Sequence, residues 1–149
     1  MTSQGDKYRG AAMLDAGNFV LASPAGVNLW QSFVQPTDRM LPTQDLNQGG
    51  QLIAPYLEKN YSAGRFMFIL QPDGNLLLYT TNYPSTTNYS PYWSTQSSVG
   101  FGYQVIFNQS VYMYLTSRNG TILNSVFSDS ASMQDFYQRA TLDYVWWSF

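Results

Sequence analysis

Short apolar runs separated by turn sequences occupy most of the chain. In residues 64–70, Phe66, Phe68 and Leu70 alternate with other side chains, so they share one face of a predicted strand. The sequence Gln71-Pro72-Asp73-Gly74 follows as a turn, because proline presets φ and glycine permits positive φ. Residues 76–79 are apolar again, and residues 75–81 return as a second strand. The pattern predicts a β-hairpin at the centre of the chain.

The same pattern predicts most of the remaining structure. Asn119-Gly120 is the strongest two-residue hairpin signal. Residues 35–50 contain two prolines and two adjacent glycines without alternation, so we expect a connection there. The only helix candidate is 131–138. Further strands are expected on both sides of a turn within 11–22, and over 27–33, 92–95, 103–107, 111–116 and 136–142. The prediction is an all-β fold.

An internal repeat underlies these hairpins. Each copy consists of an apolar strand, a turn that contains Asp or Asn, and a second apolar strand. Repeated hairpins of this kind indicate a prism or barrel built from similar small sheets. The three copies are Met13–Leu21, Leu70–Tyr79 and Val105–Tyr114.

The amino-acid composition excludes several classes of functional site. The chain has 149 residues, 7 Lys plus Arg, 9 Asp plus Glu, and neither His nor Cys. Zinc sites, cysteine nucleophiles, Ser–His triads and haem or iron–sulfur ligation by those residues are therefore excluded. We predict no cofactor and no metal site.

The charge and hydropathy patterns argue against two further classes of partner. A net charge of −2 without a basic cluster argues against binding of nucleic acid. The longest apolar stretch is residues 66–70, much shorter than the roughly 20 residues of a membrane span. Residues 1–7 lack the apolar segment of a signal peptide. We expect no nucleic acid partner and no membrane span.

One set of side chains stands out as a candidate binding site. Polar and apolar residues occupy every second position of the central hairpin: Gln71, Asp73, Asn75, Leu77 and Tyr79. A carboxylate, two amides and a phenol match the donors and acceptors of adjacent sugar hydroxyls, and Leu77 matches the C–H face of a sugar ring. The alternative is purely structural, since Pro-Asp-Gly-Asn forms a β-turn without any ligand.

Those five residues resemble the mannose-binding motif of the bulb-type lectins, Gln-x-Asp-x-Asn-x-Val-x-Tyr, with Leu77 in place of valine. The flanking sequence resembles the ectodomain of plant G-type lectin S-receptor-like serine/threonine kinases, from about residue 11 to residue 143. The segments that carry this resemblance are Ala12–Ser23, Leu29–Phe33, Pro36–Asp38, Leu41–Gln44 and Tyr61–Phe66.

The resemblance implies an all-β fold of the β-prism II type, built from small antiparallel sheets. It implies a loose segment at 1–10, the remnant of a first lectin lobe with its linker at 11–46, a second lobe at 47–143, and a divergent tail at 144–149. Longer members of the family carry a signal peptide, a membrane span and a kinase. This sequence contains no kinase motifs. We expect no catalysis in this chain.

The resemblance also implies a function. Gln71, Asp73, Asn75, Leu77 and Tyr79 are expected to bind a mannose-type glycan or glycoprotein, at the extracellular face of the plasma membrane. The other two hairpins have lost matching residues, with Leu14 and Ala22 in the first copy and Ile106, Asn108 and Ser110 in the third. An alternative is a degenerate lectin lobe that acts in homodimerisation or in contacts with a receptor partner.

Two interpretations are open for several aromatic residues. Trp30 either stacks on a sugar or packs in the core. Tyr83, Tyr89, Tyr92 and Trp93 form either a recognition rim or a loop anchor. Trp146 and Trp147 are expected to pack on the first lobe or on a second copy.

A hydrolase with paired carboxylates would use Asp15, Asp73, Asp135 and Asp143. Glycosylation sequons occur at Asn60, Asn88, Asn108 and Asn119.

Overall fold

The computed structural model describes residues 10–82, 87–88, 90–96, 101–128, 137–144 and 147–148. The described residues form short antiparallel strands and one 3-10 turn, Ser32–Val34. The chain divides into two compact units, 1–35 and 36–149. The predicted all-β fold of small antiparallel sheets is confirmed.

The first unit contains one three-stranded sheet. Its strands are β1 (Gly10–Met13), β2 (Phe19–Ala22) and β3 (Asn28–Gln31), in the order β1-β2-β3. These strands match the sequence prediction for 11–22 and 27–33.

The second unit contains three sheets. The strand bounds are β4 Arg39–Met40, β5 Asp45–Asn47, β6 Gln51–Leu57, β7 Asn60–Leu70, β8 Leu76–Asn82, β9 Thr87–Asn88, β10 Trp93–Ser94, β11 Gln104–Phe107, β12 Tyr112–Thr116, β13 Ile122–Ser128, β14 Ala140–Leu142 and β15 Trp147–Ser148. The first sheet has the order β10-β8-β7-β6, with β9 paired to β8. The second has the order β13-β12-β11-β5, and the third has the order β15-β14-β4.

All three sheets of the second unit bury side chains in one core. Phe68 comes from the first sheet, Phe107 and Met113 from the second, and Met40 and Leu142 from the third; each is at most 1% exposed. Because each sheet turns one face toward the same apolar cluster, the unit is a three-sided prism rather than a sandwich of two layers.

Five hairpins in the two units share one kind of turn. At each, the residue before the turn donates its N–H to the carbonyl four residues later and accepts a bond from the N–H three residues later. The residue at that third position has a positive φ, as expected for a type I turn followed by a left-handed residue. The turns begin at Leu14, Ser23, Gln71, Asn108 and Ser117.

One sequence prediction about strands was wrong, and one long strand was not predicted. Residues 35–50 are more than a connection, because β4 pairs with β14 and β5 with β11. Such two- and three-residue strands are too short for a periodic signal and are defined by partners distant in sequence. No prediction covered β6, where Pro55 lies at a register shift of the edge strand.

Residues 131–142 carried two predictions, a helix candidate at 131–138 and a strand at 136–142, and the described residues support only part of the strand. The described residues form a strand over Ala140–Leu142, and 137–139 are neither strand nor helix. The rest of the helix candidate, 131–136, lies outside the described residues.

Candidate functional site

The predicted motif lies on the hairpin between β7 and β8. Gln71 N–H donates to the Asn75 carbonyl over 2.9 Å, and Gly74 N–H donates to the Gln71 carbonyl over 2.9 Å. Gly74 has a φ of 85°, which favours glycine. The Asp73 side chain braces the turn, because its Oδ1 accepts a 2.9 Å bond from the Asn75 N–H. Asp73 is exposed, and Gln71 and Asn75 are half-buried beside it.

Asn75 is hydrogen-bonded to Thr95, the residue after strand β10. Its Oδ1 accepts a 3.3 Å hydrogen bond from Thr95 Oγ1, and the same hydroxyl oxygen accepts a 3.2 Å bond from the Leu76 N–H. The Thr95 hydroxyl also lies 3.5 Å from the Leu76 carbonyl, so its one proton has two acceptors within reach, Asn75 Oδ1 and the Leu76 carbonyl.

Leu77 and Tyr79 lie on the other face of β8 from the core cluster. They are 7% and 6% exposed, so both are buried. Leu77 pairs with Ile69 on one side and Ser94 on the other, and Tyr79 pairs with Met67. The Tyr79 hydroxyl donates to Met67 Sδ over 3.1 Å. The structure therefore separates the motif into polar groups at the turn and two buried side chains on the strand.

The first unit repeats the Asn75–Thr95 arrangement. Asn18 Oδ1 accepts a 3.2 Å bond from Ser32 Oγ, and the same Oγ accepts a 2.9 Å bond from the Phe19 N–H. Val20 pairs with Gln31 in the first unit as Leu77 pairs with Ser94 in the second. Leu29-Trp30-Gln31-Ser32 and Tyr92-Trp93-Ser94-Thr95 are therefore equivalent. Sequence reasoning missed this second half of the repeat, although a Trp two residues before a hydroxyl is visible in both segments.

Asn18 also shows what this position does in the fold. It is buried, its Nδ2 donates to Gln31 Oε1 over 3.0 Å, and its Oδ1 also accepts from the Phe33 N–H over 3.1 Å. The asparagine at this position thus has a structural role in both units. In the second unit the same role leaves Asn75 half-buried at the surface.

The structure changes the alignment of the other two repeats. In the first, the turn bonds place Ala16, rather than Asp15, at the position of Asp73. In the third, they place Asn108 at the position of Gln71, and Ser110 at that of Asp73. The sequence alignment was two residues out of register there, because it matched the asparagine to the aspartate instead of matching the turns.

The described sequons differ in how their asparagines are held. Asn60 and Asn119 are exposed at hairpin turns, where each Oδ1 accepts a backbone N–H two residues later. Asn108 is half-buried, and its Oδ1 accepts from the N–H groups of Ser110 and Tyr112. The side chain of Asn88 lies outside the described residues.

The aromatic residues divide between packing and exposure. Trp30 is half-buried, 6.3 Å from Phe19 edge-to-face, and its Nε1 donates to Gln35 Oε1 over 3.2 Å. Trp93 lies in strand β10 and packs against the core cluster, whereas Tyr92 is exposed. Tyr83, Tyr89, Trp146 and the side chain of Trp147 lie outside the described residues.

Two of the four aspartates considered for a hydrolase form hydrogen bonds within their own turn or with the next residue. Asp73 braces its own turn, and Asp143 Oδ1 accepts from the Tyr144 N–H over 2.6 Å. Asp15 is exposed in the turn of the first hairpin. Asp135 lies outside the described residues. Among the residues that the structure describes, no three His, Cys, Asp or Glu side chains group as metal ligands.

Comparisons with known proteins connect this arrangement to a family. A G-type lectin S-receptor-like serine/threonine-protein kinase of Oryza sativa subsp. japonica is 44% identical over 133 residues, which is 89% of this chain and 16% of that protein. A kinase of the same description from Arabidopsis thaliana is 36% identical over 116 residues, which is 72% of this chain and 14% of that protein. The chain is similar to one segment of the G-type lectin S-receptor-like kinases. The resemblance predicted from the sequence is confirmed.

A solved structure supports the fold. The Marasmius oreades lectin superposes with a TM-score of 0.51 at 17% identity, over 72% of this chain and 75% of that one. With the three small sheets around one core, this similarity confirms the predicted β-prism fold class. A comparison with protein-family models gives no match. Within the described residues, no helix is both long and apolar enough to cross a membrane.

Proposed function

We propose that this chain is a carbohydrate-binding module for mannose-type glycans and has no catalytic activity of its own. The observation that carries the proposal is the group of Gln71, Asp73 and Asn75 at one hairpin turn. Its context supports the proposal, because the chain is related to lectin receptor kinases and has a lectin fold. The chain spans about a sixth of the length of these relatives, so their kinase activity is not part of the proposal.

The geometry suggests a role for each polar group. Asp73 uses one lone pair of Oδ1 within the turn, and a carboxylate offers about four such sites, so acceptors remain for sugar hydroxyls. The contact with Thr95 holds the Asn75 side chain at the turn, and we expect its Nδ2 to donate to the sugar. Gln71 supplies a second amide from the other side of the turn.

Tyr79 completes the site only after a small rearrangement. Its hydroxyl bonds to the sulfur of Met67, and a thioether is a weak acceptor. A sugar hydroxyl is a stronger partner, so we propose that the ligand replaces Met67 at the Tyr79 hydroxyl. With so few polar contacts the affinity is on the order of millimolar. Binding to glycoproteins would then depend on several sites acting together.

We propose that the chain contains parts of two lectin lobes, at 11–46 and 47–143. The shared arrangement of Asn18 with Ser32 and Asn75 with Thr95 supports this origin from one repeat. The compact units divide at residue 35, because β4 and β5 pair with strands of the second unit. If the chain passes through the secretory pathway, we expect glycans at Asn60 and Asn119, whose turns are exposed.

A second candidate function is a protein-interaction module without sugar binding. The burial of Leu77 and Tyr79 favours it, as does the structural use of the equivalent Asn18. A homodimer or a receptor partner would then contact the outer faces of the sheets.

Titration with methyl α-mannoside distinguishes the two functions. We expect wild type to bind and Gln71→Ala to bind at least tenfold more weakly. Gln109→Ala is the matched control, because this exposed glutamine lies in the equivalent turn of the third repeat. Equal binding by Gln71→Ala and wild type, or no binding by wild type, would refute the lectin site. Sedimentation that shows a dimer insensitive to Asp73→Ala would favour the second function.

A further inference from the structure

A cleft lies on the first sheet of the second unit, away from the hairpin motif. It has a volume of about 370 Å³ and lies between residues 36–38 and the strands β6 and β7. This volume falls within the lower range of small-molecule sites. The residues that line the cleft include Pro36, Thr37, Asp38, Gln51, Ile53 and Tyr61.

Backbone hydrogen bonds hold the walls of the cleft in place. The Ile53 N–H donates to the Thr37 carbonyl over 2.8 Å, which ties residues 36–38 to the edge strand β6. The Leu142 N–H donates to the Asp38 carbonyl over 2.7 Å, which ties the same segment to β14. The cleft is therefore formed by the fold itself and needs no ligand to order it.

Asp38 provides the fixed polar group of the cleft. Its Oδ1 accepts from Thr37 Oγ1 over 2.9 Å and from Arg39 Nε over 3.1 Å, and its Oδ2 accepts from Arg39 Nη2 over 2.8 Å. Burial acts to raise the pKa of Asp38, but the hydrogen bonds from Arg39 and Thr37 outweigh it and lower the pKa overall. The carboxylate stays ionised and retains a further acceptor site on Oδ2.

The remaining side chains combine an apolar surface with exposed polar groups. Pro36 and Ile53 are half-buried and apolar, and Tyr61 presents a ring that is 78% exposed. Gln51 is exposed and adds both a donor and an acceptor. The side chains lining the cleft include no lysine or arginine, so the lining favours a neutral ligand over an anion. A ring with one apolar face and several hydroxyl groups matches this lining.

We propose that this cleft binds a neutral hexopyranose unit, as a second carbohydrate subsite. Ile53 pairs with Met67, and Met67 pairs with Tyr79, so the cleft and the motif share one face of the sheet. Two strand spacings, about 10 Å, separate Ile53 of the cleft from Tyr79 of the motif. The polar groups of the motif lie further along the hairpin, at its turn, so only a glycan of several sugar units can contact both sites. The choice of a sugar as ligand rests on the proposed lectin function, whereas the position of the cleft does not.

Amide chemical-shift mapping tests the subsite and separates it from the hairpin site. Methyl α-mannoside and methyl β-galactoside are titrated separately into the ¹⁵N-labelled chain, up to about 100 mM to suit millimolar binding. We expect at least one sugar to shift the amides of Thr37, Gln51 and Tyr61. Tyr61→Ala should weaken these shifts at least tenfold. Tyr137→Ala, which removes a fully exposed tyrosine, should leave them unchanged.

The variant Gln71→Ala distinguishes a failure of the cleft proposal from a failure of the hairpin proposal. Cleft shifts that persist in Gln71→Ala support the subsite, whether or not the hairpin amides respond in wild type. Shifts confined to residues 71–79 would overturn the subsite and leave the hairpin site standing. The absence of shifts at the cleft with both sugars, or cleft shifts that survive Tyr61→Ala undiminished, would also overturn it.

Discussion

Asn75 Oδ1 accepts a hydrogen bond from Thr95 Oγ1 over 3.3 Å, and this pair links the turn of the candidate site to the residue that follows strand β10. Asn18 and Ser32 form the same link in the first unit over 3.2 Å. Its presence in both units shows that the link belongs to the folding of the repeat. The proposed sugar site therefore uses an asparagine that the fold already holds in place.

Thr95→Val removes this link and should destabilise the second unit by about 1 kcal/mol. The valine keeps the size of the side chain but leaves Asn75 Oδ1 and the Leu76 N–H without the hydroxyl. Urea unfolding measures the change. Thr95→Ser is the matched control, because serine performs the same function at position 32; if it destabilises the chain as much as valine does, the hydrogen bond is not the cause.

Gly120→Ala should lower the free energy of unfolding by about 1 kcal/mol, through backbone strain alone. Gly120 has a φ of 86°, and a Cβ at this position would meet no atom within 4 Å, so strain and not a clash opposes the substitution. Gly10→Ala is the control, since a Cβ there also meets nothing and the residue lies in a strand. Similar free energies of unfolding for the two variants would contradict the assigned turn geometry.

Asp38→Asn should reduce stability at neutral pH but not at low pH. The folded pKa of Asp38 lies below the ordinary value of 3.8, because the hydrogen bonds from Arg39 and Thr37 outweigh burial. The stabilisation is present above pH 3.8 and is lost as the pH falls toward the folded pKa. Urea unfolding of wild type and Asp38→Asn between pH 7 and pH 3 should show the two curves converge.

Asp45→Asn should have the opposite effect. Asp45 is exposed by its accessible surface, and the partial loss of hydration at the start of β5 raises its pKa above 3.8. Its ionisation therefore destabilises the fold as the pH rises through that pKa. The asparagine variant should be more stable than wild type at pH 7 and lose this advantage near pH 3. A variant that is less stable than wild type at pH 7 would show that the carboxylate has a favourable partner.

Phe68→Ala should destabilise the second unit by about 3–5 kcal/mol, because Phe68 is fully buried where the three sheets meet. Phe101→Ala is the control, since Phe101 is 61% exposed and should change stability by less than about 1 kcal/mol. Thermal unfolding followed by circular dichroism measures both. Equal losses would mean that the core does not lie where the structure has it.

Sequence pattern predicted the hairpins well, because alternation and turn residues are local signals. The strands flanking Gly74 and Gly120 were found for this reason, with glycines at positive φ. The short strands β4 and β5 were missed, since each is defined by a distant partner.

The candidate site was predicted only as a set of residues. Spacing placed Gln71, Asp73 and Asn75 at one turn, and the structure has them there. Spacing could not reveal the burial of Tyr79 against Met67, because Met67 comes from the neighbouring strand. The role of Thr95 was hidden for the same reason, as it lies 20 residues from Asn75.

The most direct test of the lectin function is a crystal structure of the chain with methyl α-mannoside. We expect a pyranose ring at the hairpin, with hydroxyl groups bonded to Gln71, Asp73 and Asn75, and the Tyr79 hydroxyl turned from Met67 Sδ to the sugar. A hairpin without sugar at saturating ligand, with the contact between Tyr79 and Met67 unchanged, would refute the proposed lectin site.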